Sequence, residues 1–125
     1  AGNEGASAPF VYPAALENVF AITAIDATDR VYETANQGDY IDFSAPGVDV
    51  WVANPGAKGA YRSGTSFAAP YVMAVSALFL KDNPRMSRDV LFEALKSKTK
   101  DFGKEIIDTA LDRSIEFLET FLPPV

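Results

Sequence analysis

The stretch from Ser66 to Leu80 constrains this chain more than any other. Apart from Ser66, Pro70, Tyr71 and Ser76 it holds only small or apolar residues, and it is too long for one strand. A helix that is apolar nearly all round offers water no face, so other layers of the fold must enclose it. Asn83-Pro84 stops it. Ser87 then provides an N-cap for a second helix to about Lys98, with Val90, Leu91, Ala94 and Leu95 on its inner face. A stripe of Ile107, Leu111, Ile115, Leu118 and Leu122 predicts a third, amphipathic helix over residues 105–122, ended by Pro123-Pro124.

The enclosing layers lie upstream. Val19 to Ile25 is almost continuously apolar and β-branched and ends at Asp26, which reads as a strand buried on both faces in a parallel sheet. Ile41–Phe43 suggests a short strand closed by the turn Ala45-Pro46-Gly47. Val48–Val52 alternates as a further strand, broken by Asn54-Pro55-Gly56. Residues 1–9 are a loop by composition, and Asp26 to Gly38 is polar and irregular. Short strands followed by helices point to an α/β or α+β class. With 125 residues there is room for one domain.

Composition removes several functions. A net charge of −6 without a basic stripe argues against a nucleic-acid partner. No run approaches the length of a membrane span. The absence of cysteine excludes disulfides, thiol nucleophiles and thiolate metal sites. The absence of histidine is more telling, because any hydrolytic chemistry must then borrow its base from outside the chain. The start AGNEGASAP has neither the basic end nor the apolar core of a signal peptide and lacks an initiating Met, as in a processed or truncated chain.

Chemistry concentrates at Gly64-Thr65-Ser66-Phe67-Ala68-Ala69-Pro70. A loop running straight into a buried helix puts Ser66 in the first turn, where free backbone N–H groups and the positive end of the helix dipole gather. Pro70, four residues on, has no N–H to return to the Ser66 carbonyl. Such a serine either caps the helix or presents a hydroxyl where developing negative charge is stabilised. Lys58, Arg62 and Lys81 have no spacing that places them on Ser66 as substitute bases. Asp26, Asp29, Asp39 and Asp42 lack the loop spacing of a calcium site, so no metal ligands are assigned. Phe20, Trp51, Phe79 and Phe92 read as core or sheet-face residues.

The segment resembles the nucleophile motif of subtilisin-like serine proteases, Gly-Thr-Ser-x-Ala-x-Pro, at every fixed position. Ala1-Gly2-Asn3-Glu4-Gly5 resembles the family's oxyanion-hole segment. Tyr12-Pro13-Ala14 leading to Asp26, and Asp42-Phe43-Ser44-Ala45-Pro46-Gly47-Val48, resemble the two segments that follow it. The likeness covers residues 1 to about 103 and implies an α/β/α sandwich around a mainly parallel sheet, of which residues 1–103 form the C-terminal portion. Residues 104–125 depart from the pattern as an extra helical tail.

The resemblance further implies that Ser66 is the nucleophile and that Asn3, with the Ser66 N–H, forms the oxyanion hole. Gly2 and Glu4 would line the substrate pocket, while Gly64, Thr65 and Pro70 shape the nucleophile turn. The implied substrate is a polypeptide, and no cofactor is implied save a structural calcium in the intact parent. The implied setting is secreted or extracytoplasmic and bacterial. The family's Asp and His precede its oxyanion segment, so the chain alone is expected to be inactive. Its partner would be the missing N-terminal half of the domain. The alternative is a catalytically inactive truncated or split-domain chain that associates with a partner or with itself, through the exposed edge of a half sheet.

Overall fold

Continuous burial identifies the central strand. β1 (Ile22–Ile25) is buried at every position, and it pairs in parallel with β2 (Phe43–Pro46), Ile22 beside Phe43 and Ala24 beside Ala45. Side chains alternate across a strand, so these four residues share one face. Two helices cover that face, α1 (Thr65–Asp82) through Ala68 and Val72, and α2 (Arg88–Lys96) through Leu91 and Leu95. Phe20, Phe43 and Phe92 close the end of this core with ring centroids 5.2 to 5.8 Å apart. The Arg88 guanidinium lies over Phe20 and Phe92, a favourable cation–π arrangement.

The computed structural model describes residues 1–101 and 107–108. Between the core elements, β3 (Val50–Asn54) and β4 (Ala57–Arg62) form an antiparallel hairpin. β5 (Lys100–Asp101) pairs antiparallel with β6 (Ile107–Asp108). The α/β class and the parallel pair agree with the expectation from sequence.

Several boundaries move for identifiable reasons. β1 begins at Ile22, not Val19, because the Val19 N–H is spent on the Leu16 carbonyl in a run of turns. Ile41 is likewise held in a turn by the Gly38 carbonyl, so β2 starts at Phe43 and runs through Ala45-Pro46, predicted as turn. Pro46 is tolerated there as the terminal residue, where a missing N–H costs little. Asp49, at φ 53, delays β3 to Val50. β4 was not anticipated from sequence. It is held by Trp51 opposite Tyr61, their rings 4.9 Å apart, and by Gly59, where a Cβ would lie 2.5 Å from the indole.

The helices also differ from expectation. α1 is not enclosed all round by the described residues: Thr65, Ala68 and Val72 are buried, whereas Met73 is 69% exposed. In α2 the Ser87 cap forms, accepting from the Val90 N–H, but Val90 itself points outward and Leu91 and Leu95 face the core. The helix predicted over residues 105–122 gives way to strand at Ile107–Asp108, since a short β-branched run fits either period. The rest of that segment lies outside the described residues.

Gly47 is the point where the layers meet. A Cβ there would lie 2.5 Å from Ala24 Cβ, 2.8 Å from the Gly64 carbonyl oxygen and 3.2 Å from Ala68 Cβ. Its N–H donates to the Ile25 carbonyl and its carbonyl accepts from the Gly64 N–H at 2.7 Å. Gly47→Ala in the protein carrying this chain should therefore cost about 1–3 kcal/mol through overpacking. The check is the urea midpoint; an unshifted midpoint would show that the three neighbours yield freely.

The turn after β1 is organised by one carboxylate. Asp26 accepts from the Thr28 hydroxyl at 2.7 Å and from the Thr28 and Arg30 backbone N–H groups at 2.8 and 3.0 Å. The Thr28 hydroxyl first, then the Arg30 N–H, hold its pKa down from 3.8 to about 2. These bonds favour the ionised form, so their contribution to stability is full above the unfolded carboxylate value and is lost as pH falls through about 2. An NMR titration of the Asp26 carboxyl should show a midpoint near that value, and Thr28→Val should move it upward. An ordinary midpoint in the unsubstituted protein would contradict this account.

Candidate functional site

The site begins with how β4 turns into α1. Gly64, at φ 150, takes a backbone conformation that L side chains rarely adopt, and it is the N-cap of α1 with no side chain to offer. The cap is supplied from elsewhere: the Thr65 N–H donates to Asn3 Oδ1 at 3.0 Å. The Phe67 N–H is taken by the Gly64 carbonyl at 3.0 Å. Between them the Ser66 N–H belongs to the first-turn donors that have no intrahelical acceptor. No acidic residue occupies the first turn of α1, so the positive end of its dipole is not neutralised there.

Ser66 is therefore not the helix cap. It is the second residue of α1, exposed, and adjacent to the donor that holds Asn3. Because an N–H can only donate, the Thr65 bond fixes which end of the Asn3 carboxamide is oxygen. Its Nδ2 end is the one available to donate to a ligand. Asn3 and Ser66 are both exposed, whereas Gly64 and Thr65, just ahead of Ser66, are buried. That combination leaves an anchored carboxamide and a serine hydroxyl facing solvent.

The remaining residues named from sequence fall into different roles. Thr65, expected only to shape the turn, is a latch: the Gly2 N–H donates to its Oγ1 at 3.2 Å. Gly2, at φ 110, lies against Asn36, where a Cβ would be 2.4 Å from Asn36 Nδ2. Glu4 is exposed and its Oε2 accepts from the Asn3 N–H at 2.9 Å. Pro70 lies within α1 and is exposed.

Sequence reasoning missed Asn36. It is fully buried; its Oδ1 accepts from the Glu4 N–H at 2.8 Å, and its own N–H donates to the Gly2 carbonyl at 3.1 Å. No motif or spacing in the irregular segment 26–38 marks it.

Two of the candidate substitutes for histidine are unsuited to the task. A rise of about 1.5 Å per residue puts Lys81, in the last turn of α1, roughly 22 Å along the helix from Ser66. Arg62 cannot act as a base because a guanidinium stays protonated. Among the described residues no three acidic side chains gather to hold a metal ion. Asp26 accepts hydrogen bonds within its own turn, and Asp42 Oδ2 accepts from the Ala21 N–H.

Comparison with known proteins places the chain as a whole. The chain is 46% identical over 78 residues to a thermophilic serine proteinase of Bacillus sp. (strain AK1), covering 62% of this chain and 19% of that one. It is 35% identical over 107 residues to the cell wall-associated protease of Bacillus subtilis (strain 168), covering 86% and 12%. Against subtilisin BL of Lederbergia lenta it is 35% identical over 102 residues, covering 82% and 38%. The chain thus spans well under half the length of each of these relatives. The crystal structure of a cold adapted subtilisin-like serine proteinase superposes with a TM-score of 0.68 at 27% identity, over 79% of this chain and 36% of that one. The sequence profile of the subtilase family matches residues 1–114, reaching past residue 103 where the likeness read from sequence stopped. With the parallel β1–β2 pair and the profile in agreement, this chain belongs to the subtilase family.

Proposed function

We propose that this chain carries the nucleophile and the oxyanion donors of a subtilisin-like serine endopeptidase, with residues 1–103 forming the later part of its catalytic domain. One observation carries the reading: the Asn3 carboxamide is anchored by its oxygen on the Thr65 N–H, immediately beside exposed Ser66 at the N-terminus of α1. Asn3 Nδ2 and the Ser66 N–H then serve as preorganised donors where a tetrahedral oxyanion develops.

In this mechanism Ser66 Oγ attacks a peptide carbonyl and gives up its proton to a base. The C–N bond breaks, the amine leaves with a proton, and water then releases the acid from the acyl-serine. The chain contains no histidine, so the base comes from outside these 125 residues, and the family's chain order puts the orienting carboxylate with it. The part that brings them would also cover the bare side of α1, where Met73 and Tyr71 are exposed. The polypeptide substrate follows from the family. The cell wall-associated relative supports an extracytoplasmic place of work.

A second reading, a non-catalytic chain acting by association, is favoured by that same bare side of α1 together with the lack of histidine. A fluorophosphonate probe read by mass spectrometry separates the two. The chain alone should not label, and adding the Asp- and His-bearing portion should produce labelling at Ser66 that Ser66→Ala abolishes. In the assembled enzyme Asn3→Ala should lower kcat by about 10²–10³, the magnitude found for this donor in subtilisin itself. Association without any labelling would favour the second reading.

A further inference from the structure

We infer that Asn36 is a positioning residue for the Asn3 donor, acting on the peptide groups at both sides of it. The inference rests on the role proposed for Asn3. Asn36 has no exposed surface, yet it carries a carboxamide, and a buried carboxamide is costly unless its hydrogen bonds are made. Only half of them are. Oδ1 accepts from the Glu4 N–H at 2.8 Å, while Nδ2, pressed toward Gly2, has no partner among the described residues. A residue kept only to fill space would leave no orphaned donor, because an apolar side chain of similar size fills space without one.

What Asn36 does provide is a fixed frame for Asn3. Its Oδ1 holds the peptide after Asn3 through the Glu4 N–H, and its backbone N–H holds the Gly2 carbonyl, in the residue before Asn3. Glu4 completes the turn from its other side, its carboxylate accepting from the Asn3 N–H at 2.9 Å. The Asn3 side chain is exposed and would otherwise sample several rotamers. Asn36 fixes where that side chain starts, and the Thr65 N–H fixes where its oxygen ends. Both constraints are needed to aim Nδ2, since a donor displaced by about 1 Å loses much of its effect.

The test is a double-mutant cycle in the complete protease that carries this chain, measuring kcat, KM and Tm for Asn36→Leu, Asn36→Ser, Asn3→Ala and the combinations. Asn36→Leu and Asn36→Ser should each lower kcat at least about tenfold with KM changed less than about twofold, the pattern of a lost transition-state interaction. In the Asn3→Ala background the same substitutions should lower kcat no further. Asn36→Asp, which keeps an acceptor of the same reach, should retain kcat within about threefold, and with Asn36→Ser it carries the comparison if Asn36→Leu fails to fold by its Tm. An equal loss in both backgrounds would overturn the inference and leave the role of Asn3 standing. An unchanged kcat in Asn3→Ala would overturn both.

Discussion

The architecture depends on how closely three backbones approach at Gly47. Ala24 of the central strand, Ala68 of the first helix and the Gly64 carbonyl all stand within the space that a single methyl group at that position would need. The hydrogen bond from the Gly64 N–H to the Gly47 carbonyl fixes the start of α1 against the end of β2. Small residues on both sides are thus requirements of distance. A larger side chain at any of them would separate helix from sheet, and the turn carrying Ser66 would move with the helix.

From this junction the polar frame extends outward through short bonds. Thr65 ties the helix start to Gly2 and Asn3, and Asn36 ties the same segment to the loop after β1. The frame is built from backbone groups, two carboxamides, the Thr65 hydroxyl and the Glu4 carboxylate. Beside it the β3–β4 hairpin exposes Trp51 and Tyr61, at 57% and 64%.

What could be read from the sequence follows from the range of the interactions involved. β1 was legible because burial on both faces forces an unbroken apolar run, and α1 because its run is too long for a strand. Ser66 stood out through a motif of adjacent residues. By contrast β4 is stabilised by a cross-strand aromatic pair and by the absence of a side chain at Gly59, neither of which leaves a period in Ala-Lys-Gly-Ala-Tyr-Arg. The open side of α1 was misjudged for a related reason: composition states what a helix requires around it, not which part of a protein supplies it. Asn36 was invisible because a lone buried carboxamide has no spacing, and its side-chain partner lies 32 residues away.

The cap on α1 has a consequence for assembly. Helix caps are ordinarily local, contributed by a residue just ahead of the first turn. Here the acceptor is Asn3, 62 residues from the Thr65 it serves. The helix start therefore remains uncapped until the ends of a long loop have closed, and closure carries an entropic cost that only tertiary packing can offset. The same contact that completes the helix also orients the Asn3 carboxamide. A nascent or partly unfolded chain thus has Ser66 in its sequence but no anchored Asn3 carboxamide beside it, and that arrangement arrives together with the fold, not ahead of it.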